Sequence, residues 1–190
     1  MRRAKNTEIP AGVDVLVEGA MGGDADSFGR LYDTYVSRVY RHIYYRVGSI
    51  EDAEDLTQQV FLRAWQAIGR YRKTSSPFVA WLLRIGHNLV IDAYRSKKDK
   101  AYLDFEMAAS DSHSSPERVA EMEFDQQQLR RAILQLPSDQ QQVILMNFIE
   151  GFSNAETASA LGKSEGAIRV IQHRALKKMR HMLQEEKSWD

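Results

Sequence analysis

Apolar residues return every three or four positions through most of this chain. Phe28, Leu31, Tyr32, Tyr35, Val39 and Ile43 trace one stripe along residues 25–47, and Ala53, Leu56, Val60, Ala64 and Ala67 trace another along 51–68. That period belongs to helices with one buried face. The run "GRYRKTSSP" at 69–77 interrupts it with Gly, Ser and Pro, and residues 78–97 resume it. In this third helix Leu82, Ile85, Leu89 and Ala93 form the stripe, while Arg84, Asn88, Ile91 and Arg95 fall opposite. Three such helices can bury a common core, which predicts an N-terminal domain over residues 15–98. Periodicity then lapses, and a polar linker containing "AASDSHSSP" is expected over 99–117. A second helical group runs from Pro116 to about Gln184, broken at "LPSD", "EGFSN" and "GKSEG", with its domain placed at 118–184. No alternating pattern is long enough for a strand. The expected fold class is all-α: two small helical domains joined by a flexible linker.

The second domain carries the sharper motif. "FSNAETASALGKSEGAIRVIQHRALKKMR" at 152–180 has the anatomy of a helix-turn-helix. Ser153 and Glu156 form a capping box for its first helix, whose Ala155, Ala158 and Leu161 are expected to turn inward. Gly162 supplies a left-handed helix end, and Ser164 is placed to cap the next helix. There Ile168, Ile171, Ala175, Met179 and Met182 keep one apolar stripe, and the other face presents Arg169, Val170, His173, Arg174, Lys177 and Arg180. A recognition helix needs this division, with early residues reaching base edges and flanking cations neutralising phosphates. Helical hairpins with basic faces also occur in proteins that never meet DNA.

In the first domain, Tyr71, Phe78, Trp81 and Tyr94 interleave with cations that continue through Lys97, Lys98 and Lys100. Rings that stack on bases, beside cations that track phosphates, suit single-stranded nucleic acid. An ordinary solvated helix face would carry the same Arg and Asn residues.

Charge changes the picture only when it is mapped. The 190 residues sum to a formal net charge of zero, which by itself argues against a nucleic-acid binder. Yet "EDAED" at 51–55 and residues 104–125 are acidic, whereas "RSKKDK" at 95–100 and the stretch from Lys163 to His181 are basic. Segregated patches imply separate partners, or electrostatic contact between the halves of the chain.

Other chemistry is sparsely provided for. Without cysteine there is no disulfide, thiolate zinc site or cysteine nucleophile. The five histidines, at 42, 87, 113, 173 and 181, show no i,i+3 or i,i+4 pairing, so no metal site is expected. "GDADSFG" lacks the Lys and preceding strand of a phosphate loop, and no cofactor is expected. Glu51, Asp52 and Asp55 would suit divalent-metal hydrolysis of nucleic acid, but carboxylates at a helix start also simply suit the macrodipole. No nucleophile–base pair is present, and the chain reads as a non-enzyme. No apolar run reaches the roughly 18 residues of a bilayer span, and "MRRAKNTEIPAG" has no apolar segment behind its charge. The expected location is the cytoplasm, without membrane contact.

The order "DAEDLTQQVFLRAW" (52–65), "WLLRIGHNLVIDAYR" (81–95), linker, then "LPSDQQQVILMNFIEGFSNAETASALGKSEGAIRVIQHRALKKM" (136–179) resembles a bacterial extracytoplasmic-function (group IV) sigma factor of the sigma-70 class. The resemblance covers roughly residues 15–184. It implies a promoter-specificity factor that binds core RNA polymerase through the β′ clamp helices and the β flap. The implied clamp-docking residues are Asp52, Asp55, Gln58 and Gln59; the family more often has Glu at the last position, so Asp55 and Gln58 carry most of that expectation. For reading and melting the single-stranded −10 element, the resemblance implies Tyr71, Arg72, Lys73, Trp81, Arg84, Asn88, Arg95 and Lys98. Asn88 matches a position that engages a flipped base, and an Asn amide both donates to and accepts from a base edge. For the duplex −35 element it implies Arg169, Val170, His173, Arg174, Lys177 and Lys178. His173 stands where the family often has an aromatic residue or Arg. An anti-sigma partner is a further implication, and in the family the linker threads toward the polymerase channels, where an acidic segment could lie. The rival reading is a stand-alone helix-turn-helix regulator with an N-terminal sensor domain.

Overall fold

A computed structural model describes residues 12–73, 76–101 and 128–186 of the chain, with side chains described except at 97–101 and 185–186. The described residues form helices and connecting turns, with no strand among them. In chain order the α-helices are α1 (Val13–Met21), α2 (Ala25–Val47), α3 (Ile50–Ala67), α4 (Phe78–Ala101), α5 (128–134), α6 (Ser138–Ile144), α7 (Asn154–Leu161) and α8 (Glu165–Glu186). A 3-10 turn, Ile68–Arg70, closes α3, and a π-helical stretch, Leu145–Ile149, continues α6. The expected start of the second domain and most of the acidic linker lie outside the described residues.

The first domain packs α1 to α4 around Leu31, Val39, Ile43, Ala53, Val60, Ala64, Leu82, Leu83 and Val90, all essentially without solvent exposure. Local chemistry sets its boundaries. The Asp24 side chain accepts from the backbone N–H groups of Asp26 and Ser27 to start α2, and Ser49 Oγ accepts from Asp52 N at 3.2 Å to start α3. Gly48, at φ 80°, ends α2; a side chain there would also strike the Arg130 guanidinium. The structure corrects the expected α2 stripe at one end: Tyr32 is 38% exposed, its ring set edgewise on Phe61 at 4.7 Å. Leu31, Tyr35, Val39 and Ile43 keep the core side, and Tyr32 lies just off it, one residue past Leu31.

The sequence pattern does not predict helix α1. Its Val13, Val17 and Ala20 are buried at i, i+4 and i+7, but nine residues give too few turns for periodicity to stand out.

In the second domain Ile133 of α5, Leu136 of the following turn, Ile144 of α6, Leu145 of the π-helical stretch, and Ala175 and Met179 of α8 form one apolar cluster, while Val143, Ala158 and Ile168 join α6, α7 and α8. The capping box forms as expected: Glu156 N donates to Ser153 Oγ at 3.2 Å and Ser153 N donates to Glu156 Oε2 at 2.8 Å. Gly162 ends α7 in the left-handed conformation at φ 63°, and Ser164 Oγ accepts from Ala167 N at 3.2 Å. Ala155 is a correction. It is exposed, and Thr157, Ala158 and Ala160 are the buried residues of α7. Position 155 sits one residue after the helix start, about 100° around the wheel from the face that 154, 158 and 161 share.

The two domains are not separate beads. Met146, Phe152 and Ala160 of the second join the apolar core of the first, and α7 packs against α4.

Candidate nucleic-acid interface

Helix α8 divides its residues as a recognition helix requires. Ile168, Ala175 and Met179 are buried, whereas Arg169, Val170, His173, Arg174, Lys177 and Lys178 are all exposed. Val170 is 50% exposed on the same face, so its methyl groups are accessible to a partner. Two of the cations are partly engaged within the domain: Arg169 Nη2 lies 3.1 Å from Glu165 Oε2, and Lys178 Nζ donates to the Gln135 carbonyl at 2.9 Å. Arg174 and Lys177 stand between them, one turn apart on the exposed face.

On the first domain Arg84, Asn88 and Arg95 are exposed along one side of α4, and Trp81 is half-buried. Arg72 and Lys73 are exposed in the preceding loop, where Lys73 Nζ meets Asp14 Oδ2 of α1 at 2.7 Å. Tyr71 is placed differently. It is only 8% exposed and packs on Phe78 at 5.3 Å and Trp81 at 5.0 Å between ring centroids. Burial pushes its hydroxyl pKa up, so the ring stays neutral and serves as a floor beneath the loop. Lys98 lies on α4, with its side chain outside the described residues.

The acidic helix start splits the polymerase candidates between two faces. Asp52, Asp55 and Gln59 line a cleft with Val47, Leu56, Ala93 and Tyr94, between α3 and the later part of α4. Gln58 instead borders a shallow groove with Tyr32, Val36, Ser37, Tyr40, Glu54 and Thr57, against α2. Asp55, Gln58 and Gln59 are exposed and Asp52 is half-buried. No group of three or more His, Asp or Glu side chains is arranged to hold a metal ion among the described residues. No helix among them is long and apolar enough to cross a membrane.

Two domains with these faces match two family descriptions: Sigma-70 region 2 over residues 31–100, and Sigma-70, region 4, over residues 126–179. The chain is 33% identical over 175 residues to the ECF RNA polymerase sigma factor SigD of Mycobacterium tuberculosis, covering 88% of this chain and 82% of SigD. This chain belongs to the ECF sigma factors of the sigma-70 class. It is also 42% identical over 173 residues to the ECF RNA polymerase sigma factor BldN of Streptomyces coelicolor, spanning 90% of this chain and 66% of BldN. A solved structure of CnrH in complex with the cytosolic domain of CnrY superposes with a TM-score of 0.67 at 26% identity, covering 90% of this chain and 96% of that one. An ECF sigma factor is a promoter-specificity factor acting at transcription initiation, and the stand-alone regulator reading is not favoured.

A third set of residues is not marked by any sequence motif. Arg38, His42 and Arg46 recur every four positions along α2, beside its apolar stripe, and they meet the second domain rather than solvent. That four-residue spacing of cationic side chains was the available signal; without a known neighbour it reads as a solvated flank.

Proposed function

We propose that this ECF sigma factor seats the 118–184 domain on the −35 element in duplex form and the 15–98 domain on the single-stranded −10 element, with residues 99–117 between them. The observation that carries the reading is α8, whose exposed side gathers Arg169, Val170, His173, Arg174 and Lys177 while its opposite side is core. Arg169 and Arg174 suit guanine edges or phosphates, and Val170 suits a thymine methyl. Lys177 and Lys178 are phosphate contacts. Along α4 and its preceding loop, Arg72, Lys73, Arg84 and Arg95 follow the backbone of the displaced strand, and Asn88 reads a base held out of the stack.

Docking on core polymerase uses Asp52, Asp55, Gln58 and Gln59 against the β′ clamp helices, and the second domain against the β flap. The chain supplies no catalytic group; phosphodiester synthesis is the polymerase's chemistry. Partnership with polymerase places the chain in the cytoplasm. An anti-sigma protein is a partner that membership of this family implies.

Two substitutions test the DNA contacts. Arg174→Ala should lower −35-dependent transcription by about 5- to 150-fold, the equivalent of roughly 1–3 kcal/mol for a base or phosphate contact, with core polymerase binding unchanged. Quantitative transcription on templates with and without a −35 element, beside a co-elution assay, reads both; equal loss of core binding would make the residue structural. Asn88→Ala should change preference at one −10 position. A promoter library scored by transcript abundance checks this, and uniform loss across all variants would count against base reading.

A further inference from the structure

The first helix of the helix-turn-helix is short and thinly packed. Helix α7 runs for eight residues, and its buried side chains are Thr157, Ala158 and Ala160. Alanine methyls bury little area and fix no rotation, so apolar packing alone holds α7 loosely about its axis. Helix α8 is held unevenly. Its later half is anchored by Ala175 and Met179 in the cluster with Ile133, Ile144 and Leu145, whereas its first turns rest on Ile168, packed with Ala158 and Val143. Arg169, Val170, His173 and Arg174 all precede that anchor. The base-reading half of α8 therefore takes its position from α7.

What holds α7 is a polar relay from the π-helical stretch. There the Glu150 N–H donates to the Leu145 carbonyl, five residues back, at 2.9 Å. The widened turn advances each residue less far around the axis than an α-helix does, and such stretches recur at functional sites. Asn147 is its middle residue. The Asn147 Oδ1 accepts from Thr157 Oγ1 at 2.8 Å, and its Nδ2 donates to Asn154 Oδ1. One amide thus ties both ends of the first turn of α7. Threonines inside helices commonly return the hydroxyl to the carbonyl four residues back, as Thr34 does to Arg30 at 2.7 Å and Thr57 to Ala53 at 2.6 Å. Thr157 is without solvent exposure and sends its hydroxyl across to Asn147 instead. Among the described residues, none of the buried side-chain atoms left without a hydrogen-bond partner belongs to this relay.

We propose that Asn147 is a positioning residue for −35 recognition, which fixes α7 and through it the base-reading turns of α8. The inference rests on the −35 reading of α8 and names a residue on which the specificity of that reading depends. Asn147 itself need touch no DNA. Arg169 lies about 9 Å of helix before Ala175, so a tilt of about 10° around that anchor moves it by roughly 1.5 Å. Recognition geometry tolerates about 0.5 Å. The contacts differ in their response. A guanidinium paired bidentately to a base edge loses its bonds, while a lysine on a flexible stem follows a phosphate. Lys177 and Lys178 also lie within the anchored half of α8. Slack in α7 therefore costs sequence discrimination before it costs overall DNA affinity.

Holoenzyme assembled with the full chain would transcribe a template pool in which each −35 and −10 position is varied singly from the preferred promoter. One wrong base pair costs about 5- to 150-fold in such sites. Asn147→Leu, close in size and unable to make either bond, should lower that ratio by about threefold or more at −35 and leave the −10 ratios alone. The ratio is blind to how much of the chain is folded, so mere destabilisation does not move it. Thr157→Val should act in the same direction, and the double variant should be no worse than the stronger single one. Asn147→Asp keeps an acceptor for Thr157 and a second oxygen for a turned Asn154 amide, so it should keep the ratio. Equal loss on every template, or −35 ratios that Asn147→Leu leaves unchanged, would overturn the positioning role. Asn147→Asp as poor as Asn147→Leu would do the same. An unchanged chain that draws no distinction among −35 sequences would overturn the −35 reading itself, and the positioning role with it.

Discussion

Asp55→Arg should abolish co-elution with core RNA polymerase at concentrations where the unchanged chain elutes as a complex. Asp55 is exposed on the first turns of α3 and lines a cleft with Asp52 and Gln59, so a reversed charge there meets the partner directly. Losing one member of an interfacial charge pair costs about 2 kcal/mol or more, and reversal adds repulsion. That corresponds to a weakening of roughly thirtyfold or beyond. The fold should be indifferent, because Ser49 still caps the helix and the apolar residues of α3 are untouched. Gel filtration with purified core, alongside a thermal melt, separates the two effects. Unchanged co-elution would remove α3 from the docking surface.

Leu83→Ala should rank with the most damaging single changes to the first domain. Leu83 has 0% exposure and sits in the apolar core formed by α1 to α4. Truncating a buried Leu removes transfer free energy and leaves a cavity, together about 2–5 kcal/mol. For a domain of about a hundred residues, each kcal/mol moves the melting temperature by about 4–8 °C, so a fall of about 10 °C or more is expected. Calorimetry reads it. A shift of a degree or two would mean that the core around α4 repacks freely, contrary to its close approach to α2 and α3 at Gly86.

These two outcomes depend on features of very different visibility in the sequence. The stripes of α2, α3 and α4 were readable because each helix runs for many turns with one face against the others, so burial imposes the period on the residues themselves. Caps at Ser153 and Gly162 were readable because they solve a local problem with local residues. Helix α1 was too short to declare itself. The π-helical stretch from Leu145 to Ile149 has no compositional marker; "LMNFI" would continue an ordinary helix equally well. Ala155 and Tyr32 went astray because apolar residues on a helix do not all face the core, and only the packing partner decides.

The candidate surfaces divide similarly. The α8 face was legible because an apolar stripe opposite a basic one admits few arrangements. The resemblance groups Asp52 with Gln58 as one surface, yet the structure sets them on different sides of α3, since positions six apart lie about 120° from each other around a helix. Tyr71 looked like a stacking ring, but a tyrosine beside Phe78 and Trp81 is as readily core as platform, and here it is core. The contact of α2 with the second domain was the least visible. Glu150 lies 112 positions from Arg38, and nothing local to either residue announces the other.

Promoter-directed initiation is the decisive assay for a sigma factor. Purified core polymerase would be given linear templates carrying randomised −35 and −10 segments, with and without this chain, and the run-off transcripts sequenced. Defined start sites are expected only when the chain is present, with enrichment of one −35 and one −10 pattern at a fixed spacing. Start sites that are the same in its absence would contradict that expectation.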